Sequence, residues 1–181
     1  MATLRKAGAY SKLYARPYTR VSKKRTKNFI KATPSNKISK FNMGLKKNFD
    51  ENKYDFVIRI VSTHNVQIRD NALESARQTI LRHLDEKMPG LYYFEVRVYP
   101  HHIIRENKML TGAGADRMQT GMTQSFGKTT GRAALVKPGQ EIYLIATSGD
   151  KQVKIVRDII DIAKSKLPCK TKVIVEKIKR N

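Results

Sequence analysis

The sequence predicts an α+β fold: two helices packed on a mixed or antiparallel sheet, with a basic N-terminal arm and a long Gly/Met-rich loop. Three observations carry this. Segments 73–88 and 153–167 repeat apolar residues at three- and four-residue spacing, the period of a helix that buries one face. Runs of alternating or β-branched residues flank each of them. The order is β-α-β, a long insertion, then β-β-α-β, and two helices covering one such sheet make a two-layer sandwich.

The first strand is 55–61, Asp-Phe-Val-Ile-Arg-Ile-Val, which is rich in β-branched residues. Val66 and Ile68 alternate with polar neighbours and extend it or pair with it. Asp70-Asn71 then offers an N-cap, with Glu74 three residues after Asn71 as a near capping box. Leu73, Ala76, Ile80, Leu84 and Met88 form the apolar face of the first helix, and Pro89-Gly90 stops it. Residues 91–99 alternate: Tyr92, Phe94, Val96 and Val98 face one way, Tyr93, Glu95, Arg97 and Tyr99 the other. Pro100 ends that run. Residues 133–136 and 141–147 are expected to be a further strand pair around the turn Lys137-Pro138-Gly139-Gln140. Gly149-Asp150 opens a second helix whose core face is Val153, Val156, Ile159, Ile160, Ala163 and Leu167, with Pro168 as its stop. Residues 171–178 make the last strand.

A chain of 181 residues is long enough to bury a core without disulfide or metal staples. Cys169 is the only cysteine, so no intrachain disulfide or cysteine-based zinc cluster forms, and a reducing, intracellular compartment is expected. No apolar run reaches the ~18–20 residues of a membrane span. The start lacks the apolar stretch of a secretory signal, and Ala2 stands where myristoylation needs glycine. No membrane association is expected.

The charge balance is the outlier. Lys and Arg number 37 against 15 Asp and Glu, a net +22. A balance this basic implies a polyanionic partner. Residues 1–49 hold fourteen Lys/Arg and no acid, while 50–100 are near neutrality with seven basic and eight acidic residues. The division expected is therefore an RNA- or DNA-binding arm, 1–49, and a single α+β domain, 50–181, interrupted by a functional loop at 105–130. The arm interleaves Tyr10, Tyr14 and Tyr18 with Lys12, Arg16 and Arg20. Cations neutralise phosphates and rings stack on unpaired bases. A disordered solubilising tail would be poorer in aromatics than this arm, which has five in its first 41 residues.

In the insertion the periodicity fails. Gly112, Gly114, Gly121 and Gly127 supply backbone freedom, Arg105, Lys108, Arg117 and Lys128 supply phosphate contacts, and Met109, Met118 and Met122 supply adaptable apolar contacts. Enzyme readings fail one by one. Gly127-Lys128-Thr129 ends like a phosphate-binding loop, but Gly121 is one residue out of register. Gly112-Ala113-Gly114 is too short for a dinucleotide fingerprint. His101 and His102 point to opposite faces of a strand and do not chelate together. Cys169 follows a helix-stopping proline in a Lys-rich segment and reads as packing filler; the lysines favour a lowered thiol pKa, but no histidine lies nearby in sequence to serve it. No catalytic residue, metal site or cofactor is expected.

The same insertion carries a specific resemblance. The strings His101-His102-Ile103-Ile104-Arg105-Glu106-Asn107-Lys108-Met109-Leu110, Gly114-Ala115-Asp116-Arg117-Met118-Gln119-Thr120-Gly121-Met122 and Phe126-Gly127-Lys128 resemble universal large-ribosomal-subunit protein family sixteen, in its archaeal and eukaryotic branch. Ala72-Leu73-Glu74-Ser75-Ala76-Arg77, Val96-Arg97-Val98-Tyr99-Pro100 and, less closely, Tyr14-Ala15-Arg16-Pro17-Tyr18-Thr19-Arg20 are similar to that family as well. The chain departs from its pattern at Thr129, commonly proline, and at Arg132, usually a small polar residue. The resemblance implies a β-hammerhead-type sandwich bound to large-subunit rRNA and neighbouring ribosomal proteins. It also implies that the loop reaches toward the tRNA sites and the peptidyl transferase centre, where rRNA carries the catalysis. The residues expected on rRNA are Arg5, Lys6, Lys12, Tyr14, Arg16, Tyr18, Arg20, Lys23, Lys24, Arg25, Lys128 and Arg132. Those expected near tRNA are Arg105, Lys108, Met109, Gly112, Gly114, Arg117, Met118, Gln119, Gly121 and Met122. No homo-oligomer is expected. The rival readings are a free-standing nucleic-acid-processing enzyme, which needs a clustered catalytic set, and a DNA-compacting protein, which has no need of a Gly/Met loop between strands.

Overall fold

The structure, a computed structural model, describes residues 6–12, 16–106 and 127–178. In chain order these form a 3-10 turn (Arg25–Lys27), β1 (Asn42–Gly44), α1 (Lys46–Asp50), β2 (Phe56–Ser62), β3 (Val66–Arg69), α2 (Asp70–Lys87), β4 (Tyr92–Val96), β5 (His102–Glu106), β6 (Lys128–Val136), β7 (Glu141–Thr147), α3 (Asp150–Lys164) and β8 (Thr171–Lys177). The fold is α+β. Five strands make one sheet in the order β1-β4-β7-β2-β8, and three make a second in the order β3-β6-β5. Every pairing is antiparallel.

Register decides what each face carries. Phe94, Ile145 and Ile58 lie in one row across β4, β7 and β2, and Tyr93, Ala146 and Val57 in the next. Successive residues point to opposite faces, so the first row faces the helices and the second faces away. On the helix side, Leu73, Ala76, Ile80 and Leu84 of α2 meet Val156, Ile159, Ile160 and Ala163 of α3 over Ile58, Phe94 and Ile145. Fully burying one such aliphatic side chain contributes roughly 1.5–3 kcal/mol. The Tyr143 hydroxyl, buried in this layer, donates to the Leu73 carbonyl at 2.8 Å and ties sheet to helix. Tyr93 lies on the opposite face with Glu95 and Arg97, as the alternation predicts, yet it is 2% exposed. Phe49 of α1 stacks on it at 4.7 Å, and Tyr54, Val57, Leu144 and Ala146 complete this second, smaller cluster.

The sequence reading sets 66–68 with 55–61 and 133–136 with 141–147, but β3 pairs with β6 in the three-stranded sheet and β2 with β7 in the five-stranded one, and the structure differs in four further places. Residues 42–49 belong to the basic arm by composition, but they carry β1 and all of α1 except Asp50. Met43 pairs with Phe94, and Ile30, Ile38 and Met43 are buried. Gly44 makes this possible: its φ is +81° and an added Cβ would lie 2.4 Å from the Tyr92 carbonyl oxygen. Second, residues 105–106 and 128–130 continue β5 and β6, where Arg105 pairs with Thr129 and Glu106 with Lys128. Third, Glu74 closes no capping box. Its carboxylate binds Arg77 at 2.6 Å and the Ser39 hydroxyl at 3.1 Å. Burial works against that charge, but hydrogen bonds from Arg77, Gln78 and Ser39 outweigh it and hold the carboxyl below its ordinary range. Fourth, burial pushes the Cys169 thiol up rather than down, with a Ser62 hydrogen bond offsetting only part of the effect. A thiol in that state is a small core residue and not a nucleophile.

Candidate nucleic-acid interface

The arm crosses the three-stranded sheet and is fastened to it largely through its own backbone. Gln67 of β3 donates its N–H to the Ser11 carbonyl at 3.0 Å and its side-chain amide to the Tyr10 carbonyl at 2.7 Å. Arg69 donates to the Lys6 carbonyl at 2.6 Å. At β5, Tyr18 donates its N–H to His102 Nδ1 at 2.9 Å and accepts from the Ile103 N–H at 2.9 Å. At β6, Thr129 Oγ1 donates to the Ala32 carbonyl at 2.8 Å and Arg132 Nε to the Pro34 carbonyl at 2.7 Å. The Lys37 N–H then meets the Asp70 carboxylate at 3.3 Å, and the Val96 N–H meets the Phe41 carbonyl at 2.8 Å. Folded backbone satisfies its polar groups, and in this arm much of that satisfaction comes from the body.

Such anchoring leaves the charged side chains outward. Lys6, Lys12, Arg16, Arg20, Lys23, Lys24, Arg25, Lys27, Lys31, Lys37, Lys40, Lys46 and Lys47 are all exposed. The 3-10 turn concentrates four of them, with Lys23 and Lys24 before it and Arg25 and Lys27 inside it, and no acid in its first turn. Like charges gathered on an anchored strand pay their mutual repulsion unless an anion neutralises them. The geometry therefore suits a polyphosphate.

The expected site residues fall into three groups. Lys6, Lys12, Arg16, Arg20, Lys23, Lys24 and Arg25 lie on the outer surface of the arm, and Lys128 is exposed at the start of β6. Tyr18, Arg105 and Arg132 serve the protein's own packing. The Arg105 guanidinium stacks on the Tyr18 ring with its central carbon 3.7 Å from the centroid, and Arg132 binds Pro34 and the Tyr99 hydroxyl. Tyr10 likewise is hydrogen-bonded to Glu106, with Arg69 over its ring at 5.8 Å. Arg5, Tyr14, Lys108, Met109, Gly112, Gly114, Arg117, Met118, Gln119, Gly121 and Met122 lie outside the described residues. The anchors Gln67, Arg69, His102 and Thr129 were not legible as such, because each is a single polar residue in a strand whose partner lies about 57 to 97 positions away and no local period marks such pairs.

His102 makes the arm's attachment depend on pH. It is 3% exposed, and its Nδ1 accepts a backbone hydrogen, so that nitrogen carries no proton. Burial, and then the Arg105 charge, lower its pKa from the ordinary 6.5. The unfolded chain therefore takes a proton below about pH 6.5 that the folded chain resists. The contribution to stability is complete above that pH and is lost as pH falls from it through the lowered folded value. The expected result is a drop in unfolding midpoint between pH 7.5 and 5.5 that is smaller in His102→Asn, whose amide oxygen accepts the same hydrogen and does not titrate. Equal drops in the two proteins would refute it.

Among the described residues no group of three or more His, Cys, Asp or Glu side chains is placed to hold a metal ion, and no helix is long and apolar enough to cross a membrane. Comparison with known proteins decides the family. The model of the family described as Ribosomal protein L16p/L10e matches residues 16–174. The chain belongs to that family. It is 40% identical over 185 residues to "Large ribosomal subunit protein uL16" of Hyperthermus butylicus, covering 98% of this chain and 91% of the relative. The protein of the same name from Sulfolobus acidocaldarius is 38% identical over 179 residues, with 98% and 96% covered. That from Archaeoglobus fulgidus is 37% identical over 163 residues, with 90% and 87% covered. A member of the L16p/L10e family is a structural component of the cytoplasmic ribosome rather than an enzyme, associated with rRNA and other ribosomal proteins. Thr129 and Arg132 both donate to arm carbonyls, at Ala32 and Pro34.

Proposed function

We propose that this chain is a structural constituent of the large ribosomal subunit that binds large-subunit rRNA through its basic arm and helps shape the tRNA-binding region near the peptidyl transferase centre. The observation that carries the reading is the division of labour in the arm, whose backbone is engaged by the body while its cations stay exposed. Residues 1–49 act as the rRNA-binding unit, with Lys6, Lys12, Arg16, Arg20, Lys23, Lys24 and Arg25 on phosphates. The body, 50–181, carries the 105–130 loop, whose ends leave the β5–β6 ribbon. Arg117, whose guanidinium offers five donors in a planar fork, contacts tRNA in this reading together with Met118 and Gln119. Sedimentation tests the reading. The tagged chain is expected to travel with large subunits in moderate salt; recovery only at the top of the gradient, or with DNA, would support the rival classes instead.

A further inference from the structure

Phe41, Tyr99 and His101 form a column of rings at the surface. The Phe41 and Tyr99 centroids are 5.5 Å apart with planes 23° from parallel, and His101 lies 4.6 Å from Tyr99 at 50°. The rings come from two places: Phe41 from the arm, Tyr99 and His101 from the segment that links the two sheets. All three are held by contacts outside the rings. The Val96 N–H binds the Phe41 carbonyl at 2.8 Å and the His101 N–H binds the Tyr99 carbonyl at 3.0 Å. Arg132 donates to the Tyr99 hydroxyl at 3.3 Å while its Nε is fixed on Pro34. Yet the column is not core. Tyr99 is 41% exposed, His101 is exposed and Phe41 is half-buried.

Rings fixed in advance and left in water offer a π-face at little ordering cost. Lys40, beside Phe41, is exposed. Stacked bases inside a duplex present no face to such a column, whereas an unpaired base splayed from a loop or bulge does. We propose that the Phe41–Tyr99–His101 column is a stacking platform for an unpaired RNA base, with the exposed His101 ring as its outer step and Lys40 on the adjoining phosphate. Arg132 is a positioning residue that sets the Tyr99 ring. The proposal rests on the reading of the chain as an RNA-binding protein, and it adds that part of the binding selects unpaired nucleotides.

The test uses the full chain and two RNA hairpins that differ only in one bulged 2-aminopurine. The wild-type chain is expected to bind the bulged hairpin roughly tenfold more tightly and to quench the probe, since one base stacked on an aromatic side chain contributes roughly 5- to 100-fold in affinity. Tyr99→Leu and His101→Ala are expected to lose the preference and the quenching, and His101→Phe to keep both. None of the three should change binding to the fully paired hairpin or lower the unfolding midpoint appreciably. Unchanged preference and quenching in both Tyr99→Leu and His101→Ala would overturn the proposal, and so would an equal loss on the two hairpins. Failure of the wild-type chain to bind either hairpin at low salt would overturn the RNA-binding reading itself, and this proposal with it.

Discussion

Deleting residues 1–49 is expected to abolish cooperative unfolding, whereas deleting residues 1–29 leaves it in place at a lower midpoint. The difference lies in three side chains. Ile30, Ile38 and Met43 are 2%, 5% and 7% exposed, and together they contribute about 5–9 kcal/mol by area, an upper bound because the unfolded chain already hides part of that surface. A domain of this size is stable by only ~5–15 kcal/mol. The longer deletion also strips β1 from the sheet edge and removes Ser39 and Met43 from around Arg77, which is 4% exposed and donates to both. A buried guanidinium that loses partners keeps its desolvation cost. The shorter deletion removes hydrogen bonds at Lys6, Tyr10, Ser11 and Tyr18, each worth roughly 0.5–1.5 kcal/mol net, and among the described residues it takes from the core only the partly buried Ala7 at its edge. Calorimetry on the three chains measures this. A 50–181 fragment with the midpoint of the full chain would show that the arm contributes no stability.

Why composition and packing divide the chain differently is visible in particular residues. The helices were legible because their burial repeats within the chain itself: Leu73, Ala76, Ile80 and Leu84 are each fully buried at the predicted spacing, as are Val156, Ile159, Ile160 and Ala163. Strand β4 was legible from the alternation of its residues, and β2 and β7 from continuous apolar, β-branched runs that are buried on both faces. In the arm, Ile30, Ile38 and Met43 are eight and five residues apart among lysines, so each meets the core alone and leaves no period. A three-residue strand such as β1 offers no alternation to count, and its pairing is set by Phe94, about fifty positions away. The ends of β5 and β6 were missed for another reason. Arg105, Lys128 and Thr130 sit on a ribbon with one face in solvent, so their polarity resembles a loop although their backbones are paired. The candidate site divides likewise. The cations of the arm could be read from composition, because exposed charge needs no partner to be recognised. The roles of Tyr10, Tyr18, Arg105 and Arg132 could not, since a ring or guanidinium suited to RNA is equally suited to a neighbouring strand, and only the fold shows which it meets.

Replacing Lys23, Lys24, Arg25 and Lys27 by glutamine is expected to weaken binding to a fragment of large-subunit rRNA by two to three orders of magnitude near 0.1 M salt. Each phosphate contact releases counterions, so log affinity falls with log salt by roughly 0.7–0.9 per contact. Losing four contacts should flatten that slope by about three, and the same arithmetic gives the affinity loss. The four side chains are exposed around a turn with no buried residue, so the substitutions remove charge without touching packing, and the unfolding midpoint should hold steady or rise as the repulsion is relieved. Net charge alone could mimic part of the effect. The control therefore neutralises Lys151, Lys154, Arg157 and Lys166, which are equally exposed on and just after α3. A general attraction would flatten the slope alike in both proteins, whereas contact through the arm flattens it only in the first. Identical salt slopes for the arm variant, the α3 variant and the wild-type chain would remove the arm from the interface.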